Sequence, residues 1–290
     1  MYSYRFHSMT VPCQLTLVGK CQQQLERVAK LVEANTQRLA KKYNFYQADS
    51  WLNQTINQRK MSSVNLDKET AQVLSQVHQL SQATNSLFDI TVGTVKALAQ
   101  QAPELSYQAL FSRCQPAMGI EVWSLDGPLL TFCCADTQLD LGGVIKEYAV
   151  DQAALICRQQ GVEGGLINFG GDIISWGLKS DGNQFRIALA NPVEQGQIVC
   201  TLPLYNQAFT TSGHSERAFF CGQQSRSHIL ARDGVSRQVL SASVLSHSVL
   251  LSGIYSTALA IEPMLVIPRT IASLFVDQEL QVRQGADFIC

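Results

Sequence analysis

Polar and apolar positions alternate over residues 14–18, which predicts an opening strand. Leu25, Val28, Val32 and Leu39 then recur at helical spacing and predict a long helix over 21–43. Residues 47–63 are polar and irregular. A second helix is predicted from about Leu66 and Asp67, with Val73, Val77 and Leu80 facing inward. After the run Phe88-Asp89-Ile90-Thr91-Val92-Gly93, a short helix and a loop lead to strands near 119–124 and 129–132. A helix over 146–160 carries Ala149, Ala153, Leu155 and Ile156, with Gly161 as its C-terminal cap. Beyond it the period turns to that of strands, at 165–168, 173–177, 185–190, 198–202, 208–211, 216–221 and 238–245. Two short helices, near 249–260 and 268–274, close the chain. The pattern is that of a mixed α+β protein with N-terminal helices and a mostly antiparallel sheet, without an internal repeat or a clear linker.

A length of 290 residues allows one large domain or two modest ones, and a hydrophobic fraction of 46% with 16% charged residues is that of a globular chain. The net charge is -1 and no run of lysine and arginine forms a basic stripe, so nucleic acid is not expected as a partner. The first residues lack the apolar core of an export signal and no segment has eighteen uninterrupted apolar residues, so no membrane span is expected. The nine cysteines are scattered without CxxC pairs, which favours reduced thiols in a cytoplasmic protein over a disulfide framework or zinc site.

Candidate chemistry concentrates in 139–177, where two glycine-rich turns flank one helix. The first, Asp140-Leu141-Gly142-Gly143, leads to Lys146 at a helix start, where backbone N–H groups and the helix dipole suit a phosphate. The second runs Asn168-Phe169-Gly170-Gly171-Asp172. The spacing is not that of a dinucleotide-binding fingerprint, and no Walker A motif is present. As a turn alone, the first cluster is as readily structural as functional. Four further clusters stand out: Thr210 to Arg217, with three hydroxyls beside a glycine; Ser227-His228-Ile229-Leu230, with a histidine suited to acid–base work or phosphate contact; Ser252 to Ala258; and Phe88-Asp89. Each also has a bland reading as a turn, a structural strand residue, back-bonded helix hydroxyls, or core plus cap.

In their order these pieces resemble the ApbE family, the FAD:protein FMN transferases. Met9-Thr10-Val11 is similar to the family's Met-Gly-Thr opening, and Tyr43 and Leu52-Asn53 to its aromatic residue and Leu-Asn pair. FDITVGTV (88–95) stands for FDPTVGPL, DLGGVIKEYAVD (140–151) for DLGGIAKGYAVD, and NFGGDI (168–173) for NxGGDI. TSGHSER (211–217) follows TSGxxER, and 228–234 and 252–258 follow HIxDPRTG and ADALSTA. The resemblance covers nearly the whole chain. It implies a single domain over 1–290 with the T-fold-like ApbE architecture, a bound FAD and a Mg²⁺ at its pyrophosphate. The implied reaction moves FMN from FAD to a threonine or serine of an acceptor flavoprotein and releases AMP. By position, Met9, Tyr43, Phe88, Asp89, Ile90, Asp140, Lys146 and Ile229 would hold FAD, and His228 would be the acid–base or phosphate-contacting residue. Gly143, through its carbonyl, with Ser256 and Thr257, would remain of the metal site.

The chain departs from the pattern in three places. The family's aspartate in ADALSTA, a metal ligand, is Gly253; Ala231 stands where HIxDPRTG has its aspartate; and Glu147 replaces the glycine after the lysine. A lost acid could be compensated by Asp233 or Glu147. Without compensation the same chain reads as an FAD- or nucleotide-binding protein that does not transfer, and a third reading is an FAD pyrophosphatase in which water replaces the acceptor hydroxyl.

Overall fold

The structure is a computed structural model that describes residues 1–194, 196–213, 218–221, 224–227, 239–279 and 281–285. In chain order the elements are β1 (Tyr2–Ser8), β2 (Val11–Val18), α1 (Gln22–Lys42), a π-helical turn (Leu52–Asn57), β3 (Ser63–Asn65), α2 (Lys68–Ala83), α3 (Gly93–Gln101), α4 (Tyr107–Cys114), β4 (Trp123–Asp126) and β5 (Leu129–Phe132). They continue with α5 (Ile145–Gln159), β6 (Gly164–Phe169), β7 (Asp172–Trp176), β8 (Phe185–Ala190), β9 (Ile198–Leu204), β10 (Ala208–Gly213), β11 (Ala218–Cys221), β12 (Gln224–Ser227), β13 (Val239–Ser246), α6 (Val249–Ile261), β14 (Ala272–Asp277) and β15 (Val282–Gln284). The chain divides into two compact units. The first is Met1–Ala40, Val144–Gly213 and Gln238–Cys290; the second is Lys41–Gly143 and His214–Arg237.

In the first unit an antiparallel sheet runs β1-β2-β6-β7-β10-β13-β14-β15 among the described residues. Strand alternation gives it two differently covered faces. On one, Ile173, Phe209, Ala272, Leu274 and Val276 pack under Ile187, Leu189, Leu202 and Leu204 of the β8–β9 hairpin. The opposite face meets α5, which packs on β6 and β7, and α6, which packs on β10 and β13. α6 is apolar nearly all round and almost wholly buried, as a core helix must be. Asp151 of α5 fixes the start of α6 by accepting from Ser248 Oγ at 2.9 Å and from the amides of Val249 and Leu250 at 2.9 and 3.0 Å.

In the second unit α2 begins at an Asp67 cap that accepts from the Thr70 amide at 3.1 Å. Val95, Leu110 and Cys114 join α3 to α4, and β3, β5 and β4 form a small antiparallel sheet. The π-helical turn is the unit's anchor. Asn53 donates to the carbonyls of Phe45 and Gln47 at 2.7 and 2.9 Å, while Arg59 just beyond the turn donates to those of Thr137 and Cys134 at 2.7 and 2.8 Å and lies over the Phe132 ring.

The sheet is antiparallel and the helices fall where the periodicity places most of them. Several elements differ. The helix expected over 268–274 is a turn followed by β14, because Ala272, Leu274 and Val276 alternate onto the hairpin-covered face; a short apolar run carries no period that separates helix from strand. β1 precedes the expected first strand, with Tyr2, Tyr4 and Phe6 half-buried on one side. Residues 47–63 are irregular only in part, since Leu52 and Ile56 turn inward on the π-helical turn. The single helix after Gly93 is a pair, α4 being capped by Ser106. Leu80 is only half-buried while Leu74 is fully so, and Leu155 lies on the outer face of α5. The strand expected at 216–221 is described from Ala218 onward.

Candidate functional site

On the helix-covered face of the first unit's sheet, the register of β7 and β10 aligns Asp172 with Ile174 on one strand and Thr210 and Ser212 with Ala208 on the other. Their polar ends gather where α5 begins and α6 passes. Lys146, in the first turn of α5, forms an ion pair with Asp172 and has its Nζ 3.8 Å from Glu147 Oε1. From α6, Ser256 Oγ lies 2.8 Å from Ser212 Oγ and 3.3 Å from Thr210 Oγ1, and Thr257 Oγ1 lies 3.2 Å from Ser212 Oγ. Ser256 also donates back to the Gly253 carbonyl at 3.0 Å. Glu147 and Asp172 are 7% and 4% exposed, so two carboxylates are held out of water among hydroxyls, beside a partly exposed ammonium. Carboxylates are rarely buried so deeply unless a cation or several donors meet them.

The second unit carries the first glycine-rich turn. Asp140 is 5% exposed; its Oδ1 accepts from the Gly142 amide at 2.8 Å and its Oδ2 is paired with Lys96 of α3. The segment entering this turn is held by side chains acting as backbone partners: Asn57 Oδ1 accepts from the Leu139 amide at 2.8 Å and its Nδ2 donates to the Leu139 carbonyl at 3.0 Å. Asp140's own amide donates to the Ile90 carbonyl at 2.8 Å. At Gly93 the two segments are so close that a Cβ would sit 2.7 Å from the Gln138 carbonyl oxygen and 2.8 Å from the Asp140 nitrogen, so no other residue fits there. Asp89 accepts from the amide of Thr91 at 2.8 Å, and Thr91 Oγ1 accepts from the Gly119 amide at 2.8 Å.

The residues singled out by sequence therefore divide. Lys146, Ser256 and Thr257 meet in one cluster of the first unit, and Phe88, Asp89, Ile90, Asp140 and Gly143 lie together in the second, where a Cβ on Gly143 would touch the Phe88 ring at 3.6 Å. Met9 sits in the β1–β2 turn with φ of 50°. Tyr43 is buried, and its hydroxyl shares a 2.7 Å hydrogen bond with Thr70. Lys146 supplies a positive charge, as its place at the helix start suggests, and within the unit that charge is paired with Asp172 and, at longer range, with Glu147. His228, Ile229, Ala231 and Asp233 lie outside the described residues. Sequence reasoning passed over Lys96 and Asn57. Lys96 sits one helical turn from the FDITVG run, but nothing local pairs it with a residue forty-four positions on.

The family profile for ApbE matches residues 9–276. The chain belongs to the ApbE family. Among ApbE relatives, the FAD:protein FMN transferase of Vibrio cholerae is 25% identical over 246 residues, 80% of this chain and 74% of that protein. That of Haemophilus influenzae is 25% identical over 201 residues, 65% of this chain and 58% of that protein, and that of Rhodobacter capsulatus is 30% identical over 230 residues, 76% of this chain and 43% of that protein. Solved ApbE structures share the fold: one from Thermotoga maritima superposes with a TM-score of 0.86 at 20% identity, covering 98% of this chain and 97% of that one. The apo form of the Pseudomonas stutzeri flavinyl transferase ApbE gives 0.83 at 24% identity, covering 98% and 94%.

The ApbE family implies a Mg²⁺, and the donors on the α6 face are of the kind it takes: the hydroxyls of Ser256, Thr257 and Ser212, and a carboxylate at Glu147. Among the described residues, no group of three or more histidine, cysteine, aspartate or glutamate side chains is placed to hold a metal. A cation here would thus rest on one or two carboxylates and neutral oxygens. No helix among the described residues is long and apolar enough to cross a membrane.

Proposed function

We propose that this chain transfers FMN from FAD to a threonine or serine hydroxyl of an acceptor flavoprotein and releases AMP. The observation that carries the reading is the ApbE match over residues 9–276, because it spans both the Asp140 turn and the Lys146–Asp172 pair with its neighbouring hydroxyls. In the reaction the acceptor oxygen bonds to the FMN phosphorus, the pyrophosphate bridge breaks, AMP departs with the bridging oxygen, and the acceptor hydroxyl gives up its proton. Such a transfer is governed by positioning and by neutralisation of phosphate charge.

In this reading Phe88, Asp89, Ile90 and Asp140 hold the flavin nucleotide with Met9, Tyr43 and Ile229, and Lys146 at the start of α5 contributes positive charge beside the helix amides. His228 takes the acid–base or phosphate-contacting part. Bound Mg²⁺ would supply charge neutralisation at the pyrophosphate, held by Ser256, Thr257 and the Gly143 carbonyl. Cys13, Cys21, Cys114, Cys133, Cys134, Cys157 and Cys200 are free thiols, which supports a reducing, cytoplasmic setting. Nucleic acid is not among the proposed partners, and no membrane span is proposed.

The test is incubation of the purified chain with FAD, Mg²⁺ and an acceptor flavoprotein carrying the family's DgxtsAT-type motif. The expected result is an acceptor carrying one phosphoester-linked FMN, a mass gain of FMN less one water, with AMP released in equal amount. Retained FAD with an unmodified acceptor at millimolar Mg²⁺ overturns transfer and leaves a flavin-binding protein. AMP and FMN released free into solution would mark a pyrophosphatase.

A further inference from the structure

We propose that Glu147 is the carboxylate with which this chain holds Mg²⁺, in place of a side chain at position 253. The inference rests on the flavin-transferase reading and assigns one residue of its site. Two of the chain's departures from the family pattern, Glu147 and Gly253, are neighbours in space. A Cβ built on Gly253 would lie 2.6 Å from Glu147 Cγ, 3.4 Å from its Cδ and 3.5 Å from its Oε1. The first distance is one that real atoms do not adopt, so the Glu147 chain runs through the volume that a side chain on residue 253 would need. The carboxylate reaches that volume from α5 rather than from α6.

The surroundings suit a hard cation. Gly253, Ser256 and Thr257 are spaced to share one side of α6, so a carboxylate laid against 253 stands on the same side as the two hydroxyls, with Ser212 bridging them from β10. Glu147 and Asp172 with Lys146 sum to one net negative charge in a buried setting, which favours a dication over a further anion. A glutamate side chain is one methylene longer than aspartate, and it starts from the neighbouring helix. The exchange therefore keeps a carboxylate in place while moving its attachment point, and glycine at 253 is what makes room for it.

The experiment follows Mn²⁺ binding by the electron paramagnetic resonance of free Mn²⁺, with FAD present, and follows FAD binding separately by flavin fluorescence. Glu147→Gln keeps the shape of the side chain and is expected to weaken Mn²⁺ at least tenfold while FAD still binds. Gly253→Asp alone is expected to lower Tm, because its Cβ and carboxylate meet Glu147. The exchange Glu147→Gly with Gly253→Asp is expected to recover both Tm and Mn²⁺ affinity to within a few-fold of the parent. Mn²⁺ affinity unchanged within twofold in Glu147→Gln overturns the assignment, as does a parent protein that binds FAD but no Mn²⁺. A parent that binds no FAD defeats the flavin reading instead, and the same Mn²⁺ comparison on the flavin-free protein then decides the role of Glu147.

Discussion

Asn57 treats Leu139 as a neighbouring strand would, accepting from its amide at 2.8 Å and donating to its carbonyl at 3.0 Å. One side chain at the end of the π-helical turn therefore satisfies both backbone groups of the residue that leads into Asp140. Its Nδ2 also donates to Asn53 Oδ1 at 2.8 Å, so the clamp is tied into the turn itself. Substituting Asn57→Ala strands two backbone groups of a fully buried residue and is expected to cost about 2–4 kcal/mol, from roughly 1–3 kcal/mol per unsatisfied group with some recovered by water. Asn57→Asp keeps the acceptor and sets a carboxylate against the Leu139 carbonyl, so it should not rescue. Urea unfolding of the three proteins checks this, and a loss under 0.5 kcal/mol in Asn57→Ala would remove the clamp.

The Lys96–Asp140 pair is enclosed on both sides, with 14% and 4% of the side chains exposed. Removing only the cation leaves a carboxylate in a poorly solvated place. Lys96→Met is expected to lower stability by about 3 kcal/mol, whereas Lys96→Met combined with Asp140→Asn should cost less than the single change. The double-mutant cycle measured by denaturation gives the coupling. Additive losses would show that the two side chains act independently.

How far the sequence reveals this molecule depends on how local each feature is. The α1 face of Leu25, Val28, Val32 and Leu39 is visible because burial and helical period coincide along one element. The Gly161 cap at φ of 75° is visible for the same reason. Pairings between distant segments are not, since Lys96 with Asp140, Asn57 with Leu139, and Glu147 against Gly253 each depend on topology that no window of sequence contains. The missed strand at Ala272 shows a further limit. Its apolar run is short, and what makes it a strand is the hydrogen-bonding edge offered by β13, thirty residues away. The order of motifs across the chain carried the family, while the geometry was needed to see that two of its departures belong together.

Lys146 is tied to Asp172, so its removal has two separable effects. Lys146→Met leaves Asp172 buried without that ammonium, and Lys146→Met with Asp172→Asn should regain much of the lost stability. Affinity for FAD should not follow. If Lys146 contributes a charge-assisted contact to the pyrophosphate, both variants bind FAD about 10–100-fold more weakly than the parent, the equivalent of roughly 1.5–3 kcal/mol. Flavin fluorescence titration beside thermal unfolding distinguishes the two effects. Affinity that recovers along with stability in the double variant would confine Lys146 to holding the fold.

Asp151 offers a pH test of the first unit. It joins α5 to α6 through three donors, yet burial raises its pKa above the ordinary aspartate value, against the pull of the Val249 and Leu250 amides, the Ser248 hydroxyl and the positive form of His247. A folded-state value above the unfolded one means that the native protein binds the proton more tightly. The stability that this group contributes is therefore full below the ordinary carboxylate range and is lost as pH rises through the folded-state value. Other carboxylates titrate in the same region, so the quantity to follow is the difference between parent and Asp151→Asn, which has no carboxyl to titrate. That difference is expected to shrink as pH rises from about 4 to about 7. Asp151→Ala also has no carboxyl to titrate, so its difference from the parent should fall with pH in parallel, while the lost cap keeps it about 1–2 kcal/mol less stable than Asp151→Asn at every pH. A parent-to-Asn difference that stays flat, or that widens with pH, would show that the three donors outweigh burial and hold Asp151 ionised in the folded protein.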